Sequence, residues 1–401
     1  MKKFLLATAL IVVALLPDKA TCGSRANSTC AEPPLPGQDS PVYDYQVQPL
    51  LISVLEVATQ SDINLYYYSG STSNTGSETG TITSPQPADT ETHKIIFGAN
   101  FDTNSDCADR NEQNQCDLYT ADLDLDDGTV STVTRATETP VSESYPAWNP
   151  NGTVAYFSIF KNVHSKDLGV VDLTTGETNT LTSNASWPEV SPDGKTLLYE
   201  DTNTSQLMQA SLSADGLSIS NASPVPSITD GEDSQYSGDG RYIVFHQTRN
   251  GSGAVAQVYD TQTQTSTSWG EKSGHCAFGL ESLTTLCDNS TGGGLLKKIF
   301  DGNKFGSTSL FLPDPSAELL SAYDPDFASC QGISFNYPNF CGDDEHLLVS
   351  TSCNSGGTVT FSRLFLIDFT NDSPVYRPIG KELKDAYGGT GMSSWTVSCL
   401  E

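Results

Sequence analysis

Apolar residues in this chain are grouped into short runs, each led by a turn signal and flanked by polar, Ser/Thr-rich segments. The pattern is plainest at Ser186 to Tyr199, SWPEVSPDGKTLLY. Trp187, Pro188 and Val190 lead into Ser191-Pro192-Asp193-Gly194, where proline fixes φ early in a turn and glycine takes the position with φ > 0. Leu197, Leu198 and Tyr199 then form an apolar run of a length that suits a buried strand. One hairpin of this size cannot bury its own faces, so its stability depends on repetition.

The unit does repeat. YPAWNPNGTVAYF (Tyr145 to Phe157) lies upstream and SQYSGDGRYIVF (Ser234 to Phe245) downstream. Looser copies follow at CAFGLESLTTLC (Cys276 to Cys287) and across Asp324 to Ser350, where DPDFASC precedes a delayed CGDDEHLLVS. HKIIFGAN (His93 to Asn100) has a second strand without a first, and SSWTVSCLE (Ser393 to Glu401) supplies the missing piece from the other end. The strand ends Phe97, Phe157, Tyr199, Phe245, Cys287 and Val349 are 60, 42, 46, 42 and 62 residues apart by subtraction. Periods in the forties, with inserts, are those of propeller blades of about four strands. Runs such as LGVVDLTTGETNTLT and AQVYDTQTQTSTSW provide the third and fourth strands. The pattern predicts an all-β, six-bladed β-propeller of four-stranded antiparallel blades over residues 93–401, closed by the C-terminal strand so that no sheet edge is left open.

PAWNPNGTVAYF, PEVSPDGKTLLYE and SQYSGDGRYIVF resemble the repeat of TolB-like propellers, roughly P-x-W-S-P-D-G-x-x-I-A-F. Three repeats match well, two are degenerate and one is split across the termini. The resemblance covers about Thr92 to the C-terminus and implies fold much more than function. TolB-like propellers include periplasmic protein-binding modules, sensor domains and relatives of peptidases and polysaccharide lyases.

The segments before the propeller differ from it in kind. Met1-Lys2-Lys3 and the apolar run Phe4 to Leu16 read as a secretory signal peptide, residues 1–23, with cleavage after Gly23 or Ser24. A lipoprotein at Cys22 is the less favoured alternative, because Lys19 stands where a lipidated cysteine is preceded by Leu. Residues 24–68 read as a small N-terminal extension, and residues 69–92 as a Ser/Thr/Gly/Pro-rich linker. No later segment is apolar enough to cross a membrane, so a secreted or periplasmic, monomeric propeller is expected.

The 10 cysteines agree with export. None has zinc-type spacing, and neighbour pairing is the simplest connectivity: Cys22/Cys30, Cys107/Cys116, Cys276/Cys287, Cys330/Cys341 and Cys353/Cys399. Removal of Cys22 with the signal would leave one cysteine over. With 20 Lys plus Arg against 49 Asp plus Glu, the formal net charge is −29. Such a charge opposes binding to nucleic acid or anionic membranes and suits solvation in saline surroundings, or else a basic partner.

Candidate chemistry is sparse. Asp102, Asn104 and Asp106 sit at the first, third and fifth positions of a calcium-loop pattern, but Cys107 and Gln113 stand where that loop wants Gly and Glu. An acidic blade loop is therefore preferred to a calcium site. No G-x-S-x-G, H-E-x-x-H or phosphate-cradling glycine loop is present. Aligning the repeats on their first strands puts Trp148, Val190, Tyr236, Phe278, Phe327 and Trp395 between blades. Three places earlier, near the channel mouth, stand Tyr145, Trp187, Asp233, His275, Asp324 and Met392, with Glu232 and Tyr323 beside them. Aromatic faces, carboxylates and an imidazole in one funnel make Tyr145, Trp187, Asp233, His275 and Asp324 the candidate ligand-binding residues.

Three functions remain open at this point. The first is a non-enzymatic module that binds a protein partner or a glycan. The second is a lyase-like enzyme on polysaccharide, with His275, His246 and Tyr145 for acid/base work, although the charge would repel acidic glycans. The third is a calcium-stabilised structural or adhesive component.

Overall fold

The computed structural model describes residues 92–99, 116–162, 165–247, 255–289, 293–356, 358–371, 373–379 and 397–400. These form six four-stranded antiparallel sheets arranged as the blades of a propeller. Blade 1 takes its innermost strand from the chain's end: β24 (Val397–Cys399) pairs with β1 (Thr92–Ala99), followed outward by β2 (Asp117–Asp124) and β3 (Val130–Arg135). Blade 2 runs outward through β4 (Ser142–Trp148), β5 (Val154–Asn162), β6 (Ser165–Asp172) and β7 (Thr178–Ser183). Blade 3 is β8 (Ala185–Val190), β9 (Thr196–Asp201), β10 (Gln206–Leu212) and β11 (Ile219–Pro224). Blade 4 is β12 (Glu232–Tyr236), β13 (Tyr242–Gln247), β14 (Val255–Asp260) and β15 (Thr265–Lys272). Blade 5 is β16 (Cys276–Phe278), β17 (Thr284–Asp288), β18 (Leu295–Ile299) and β19 (Ser309–Leu312). Blade 6 is β20 (Gly332–Cys341), β21 (Asp343–Ser355), β22 (Thr358–Asp368) and β23 (Val375–Ile379).

The second strand of each blade carries the core. Ile95, Ile96 and Phe97, Ala155, Tyr156 and Phe157, Leu197 and Leu198, and Leu347 to Val349 are all buried. A sheet covered on both faces by neighbouring blades reads as a continuous apolar run, which is why these strands do not alternate. The fourth strands β3, β7 and β11 are mostly exposed or half-buried and correspondingly polar. The hairpin turns work as their sequences require: Gly194, at φ 69°, donates its N–H to Ser191 O at 2.8 Å, and Gly240 does the same to Ser237 at 2.7 Å. In blade 5, which lacks the turn signature, Cys276 and Cys287 sit directly opposite each other on β16 and β17 and are disulfide-bonded.

Ring closure is both non-covalent and covalent. The Trp148 indole N–H donates to Ser398 O at 3.0 Å, joining blade 2 to the closing strand. On the other side, Cys341 at the end of β20 is bonded to Cys399 in β24. Cys330, two residues before β20, pairs with Cys353 in β21. Two of the expected neighbour pairs, Cys330/Cys341 and Cys353/Cys399, are thereby corrected. β20 carries Cys341 away from Cys330 and up against β24, while the antiparallel β21 returns Cys353 to the start of β20. Cys116 is also disulfide-bonded. The Cys22/Cys30 pair, Cys107, the signal segment, the extension and the linker up to residue 91 lie outside the described residues, and residue 92, expected to end the linker, begins β1.

Blade 6 departs from the expected alignment. Between blades 5 and 6 the chain forms a short helix, α1 (Ala317–Ser321), and a 3-10 helix (Pro325–Ser329). Phe327 belongs to the latter, and the residue opposite Leu347 at the end of the first strand is Phe340. In blade 1 the equivalent residue, opposite Ile95, is Cys399. Trp395 and Met392 lie outside the described residues.

Candidate functional site

Four innermost strands carry the same defect. Their pairing slips by one residue between Ser144 and Ala147, Ser186 and Glu189, Glu232 and Gln235, and Asn336 and Asn339. Within each bulge one residue adopts a left-handed backbone: Tyr145 (φ 54°), Trp187 (57°), Asp233 (49°) and Tyr337 (52°). In a bulky side chain this conformation is uncommon and costs on the order of 1–3 kcal/mol, and bulges of this kind re-aim side chains. Here they gather Tyr145, Trp187, Asp233 and Tyr337, together with His275, around one cavity of about 80 Å³.

The rings form two close pairs, the first stacked and the second tilted by 30°. Tyr145 lies on Trp187 and His275 on Tyr337, each with centroids 3.6 Å apart, and Trp187 is 5.7 Å from His275 and 5.8 Å from Tyr337. Phe160 completes the aromatic cluster. The ammonium of Lys166 stands 5.3, 5.1 and 5.4 Å from the ring centres of Tyr145, Phe160 and Trp187, within cation–π range. Beside the rings is a polar layer. Gln235 donates to Asn339 Oδ1 at 3.2 Å and accepts from the Phe278 N–H at 2.8 Å, while Asn339 donates to Val397 O at 3.0 Å. Glu189, Gln235, Asn339 and Ser398 also line a second cavity of about 240 Å³, whose walls include Trp148, Val190 and Tyr236. The two cavities therefore share a polar threshold.

On the other side of the rings lies a titratable cluster. Asp233 makes a hydrogen-bonded ion pair with His275 Nδ1. Burial opposes a charged ring at His275, but the Asp233 carboxylate, helped by Asp288 and Glu232, outweighs it and raises the His275 pKa. His246, with its ring centre 5.6 Å away, is shifted the other way by burial and by its neighbour His275. Its Nε2–H donates to Ser273 O at 2.6 Å. Burial, with Glu232 next to it, pushes Glu200 up to about 7, and burial lifts Asp288 to about 6 and raises Glu232. The cluster thus changes charge near neutral pH. A third cavity, of about 360 Å³, reaches His275 and Asp288 from between blades 5 and 6.

Of the five candidate ligand-binding residues, the structure brings Tyr145, Trp187, Asp233 and His275 together. Asp324 is corrected: it caps the 3-10 helix and is buried against Arg363, with 3.2 Å between Oδ2 and Nε. Tyr337 takes the place assigned to it. Tyr337 was legible, because Tyr337-Pro338 repeats the aromatic–proline step of Tyr145-Pro146 and Trp187-Pro188. His246 is near the site but buried behind it. Asp102, Asn104 and Asp106 lie outside the described residues. Among the described residues, one group has metal-ligand proximity, His93 with Cys341 and Cys399, and its two sulfurs are joined to each other.

No family model and no curated protein matches the sequence. Among solved structures, TolB from Acinetobacter baumannii matches at 18% identity with a TM-score of 0.51, over 77% of this chain and 66% of that one. The chain thus spans just under two thirds of that TolB. A putative 6-phosphogluconolactonase from Bacteroides uniformis matches at 13% identity, TM-score 0.43, over 72% of this chain and 81% of that one. The periplasmic gluconolactonase of Pseudomonas aeruginosa matches at 14%, TM-score 0.42, over 72% and 82%. Likeness at these identities speaks to fold alone. Among the described residues no helix is long and apolar enough to cross a membrane. With six closed blades and the turn-and-strand repeat that produces them, the chain has the TolB-like six-bladed β-propeller fold.

Proposed function

We propose that this protein is an exported binding module, in the periplasm or at the cell surface, that holds a protein partner or a small ligand at the axial cavity without chemically altering it. The observation that carries the reading is the repeated bulge. Four blades each keep a strained, bulky or acidic residue at one register, and strain held at a shared pocket marks a site under functional constraint. Export is supported by the disulfides and by the signal-like segment at residues 1–23.

Binding is favoured over lyase-type catalysis by how the histidines are engaged. His275 is committed to Asp233 and held toward its charged form, which is a poor general base. His246 spends Nε2 on a backbone carbonyl. Wild type and a Trp187→Ala/Asp233→Asn variant, its folding checked by thermal melt, are to be compared in pull-downs from envelope extract and on a glycan panel. Capture by wild type alone supports the axial site. Equal capture by both moves the site elsewhere, and release of unsaturated sugar by wild type would overturn the non-enzymatic reading.

A further inference from the structure

The cavity of about 360 Å³ between blades 5 and 6 stands apart from the aromatic cavity and shares one lining residue with it, His275. Among the described residues no Lys or Arg lines it, and the charge of His275 is taken up by Asp233. Asp314, Ser334 and Asn336 are half-buried, so each keeps accessible surface on the cavity wall. Their hydrogen-bonding capacity is only partly used. The Asp314 carboxylate receives two backbone N–H groups, from Phe335 at 3.1 Å and from Gly294, and no cation neutralises it among the described residues. Asn336 donates through Nδ2 to Ser352 Oγ at 3.1 Å, while its Oδ1 has no partner among the described residues. Ser334 Oγ receives long contacts of 3.4 Å from Asn336 and Asn354 and has its proton to give. Asp288 adds a second carboxylate deeper in the wall, where burial pushes it up to about 6. The loop beside Asp314 is bare backbone: Gly293 and Gly294 sit at φ 76° and 83°, and a Cβ on Gly293 would collide with Asp314 Oδ2.

A space with open acceptors on several walls suits a ligand that donates in several directions. A single metal ion does not meet that description. Burial and two backbone N–H groups shift Asp314 with no contribution from Asp288, so the two carboxylates stand too far apart to grip one ion. Nor does any trio of ligating side chains converge there among the described residues. Size points the same way. About 360 Å³ equals roughly a dozen water volumes of about 30 Å³, and a hexose has about a dozen non-hydrogen atoms, whereas an ammonium or guanidinium would leave most of the space empty. We propose that this cavity is a second binding site, separate from the axial one, for a neutral hexose-sized polyol such as one residue of a glycan. The Asp314 carboxylate and Asn336 Oδ1 accept its hydroxyl protons, and the Ser334 hydroxyl donates to one of its oxygens. A uronic acid meets two carboxylates there and is repelled.

The test is saturation-transfer NMR, followed by calorimetric titration, of the full chain with methyl glucoside, methyl galactoside, methyl mannoside and myo-inositol. The controls are cyclohexanol, a ring of the same size with a single hydroxyl, glucuronate and glucosamine. One saturable site is expected for at least one neutral polyol at millimolar concentration. Cyclohexanol and glucuronate should bind at least about ten-fold more weakly, and glucosamine no more tightly than the neutral sugar. Asp314→Asn keeps an oxygen for the Phe335 N–H and turns the other into a donor, and Ser334→Ala removes a hydroxyl held by long contacts, so both variants should fold, as a thermal melt will check. Asp314→Asn should weaken polyol binding about ten-fold and Ser334→Ala several-fold. Equal binding of cyclohexanol or glucuronate overturns the proposal, as does tighter binding of glucosamine, polyol binding that neither substitution changes, or no polyol binding at millimolar concentration. The axial site is judged separately. A glycan lost by the Trp187→Ala/Asp233→Asn variant but held by Asp314→Asn belongs to the axial cavity and overturns the second site, and the reverse supports it.

Discussion

At Trp187 the backbone is held at φ 57° with an indole 8% exposed and stacked on Tyr145. The ring's packing therefore maintains a conformation its own Cβ resists. This separates two costs that a truncation normally mixes. Trp187→Gly should be more stable than Trp187→Ala by about 1 kcal/mol in urea unfolding, the reverse of the usual order in a strand, because glycine adopts this φ freely. If alanine is the better tolerated, the strain is not there. Glu143 gives a second residue-level prediction. It is 1% exposed between Thr137 and Thr139, and burial, opposed by hydrogen bonds from those two hydroxyls, pushes it up to about 7. A carboxyl whose folded pKa lies above its unfolded value holds a proton that the unfolded chain has already lost. Stability therefore falls as pH rises from about 4.5 to about 7, and the loss is constant above that. Glu143→Gln, which cannot ionise, should gain on wild type across that window by on the order of 1–3 kcal/mol, read from unfolding free energies at pH 4.5, 6 and 8. A gap between variant and wild type that does not change with pH would contradict this.

At the level of elements, the blades were legible because their second strands are apolar on both faces and their turns need proline, aspartate and glycine in order. Where that chemistry is present, in blades 2, 3 and 4, strand ends and site residues fall where the repeat places them. Blade 5 kept its frame because Cys276 and Cys287 replace the turn with a covalent tie across the same strands. Blade 6 slipped because α1 and the 3-10 helix offer an Asp-Pro-Asp-Phe stretch that imitates a first strand. Counting back from the second strand avoids the error. Tyr145, Trp187, Asp233, His275 and Tyr337 each stand ten residues before the residue opposite the first strand's end, namely Ala155, Leu197, Ile243, Thr285 and Leu347. Asp324 stands 23 before Leu347 by the same subtraction. Cys276–Cys287 was legible as a neighbour pair across one hairpin, but the partners of Cys330 and Cys341 were not, because they follow adjacency between strands and not distance along the chain.

For the whole molecule, the decisive contact is the seam. β24 contributes three residues of pairing to blade 1, and the Cys341–Cys399 bond spans 58 residues, against 11 for Cys276–Cys287. On the chain-entropy account, the longer loop stabilises by about 4 kcal/mol and the shorter by about 3 kcal/mol. Removing the seam disulfide by Cys341→Ser/Cys399→Ser should therefore lower the melting temperature more than Cys276→Ser/Cys287→Ser does. Because Cys399 sits in the seam, its loss should also expose the C-terminal strand to limited proteolysis while the other blades stay protected. Equal melting losses, with no early cleavage at the C-terminus, would show that pairing and the Trp148 bond close the ring without help.

The order of biosynthesis turns this seam into a matter of timing. β1 is made early, but its inner neighbour β24 begins 298 residues later, by subtraction of 99 from 397. At roughly 5–20 residues per second, the ribosome needs about 15 to 60 s to cover that distance. Until then blade 1 presents an unpaired row of N–H and C=O groups, and the partner cysteine of Cys341 does not yet exist. The ring can therefore be completed only after β24 is made, and its covalent lock only once the thiols of Cys341 and Cys399 are oxidised, so closure is the final step of assembly and cannot begin while the chain is still being made.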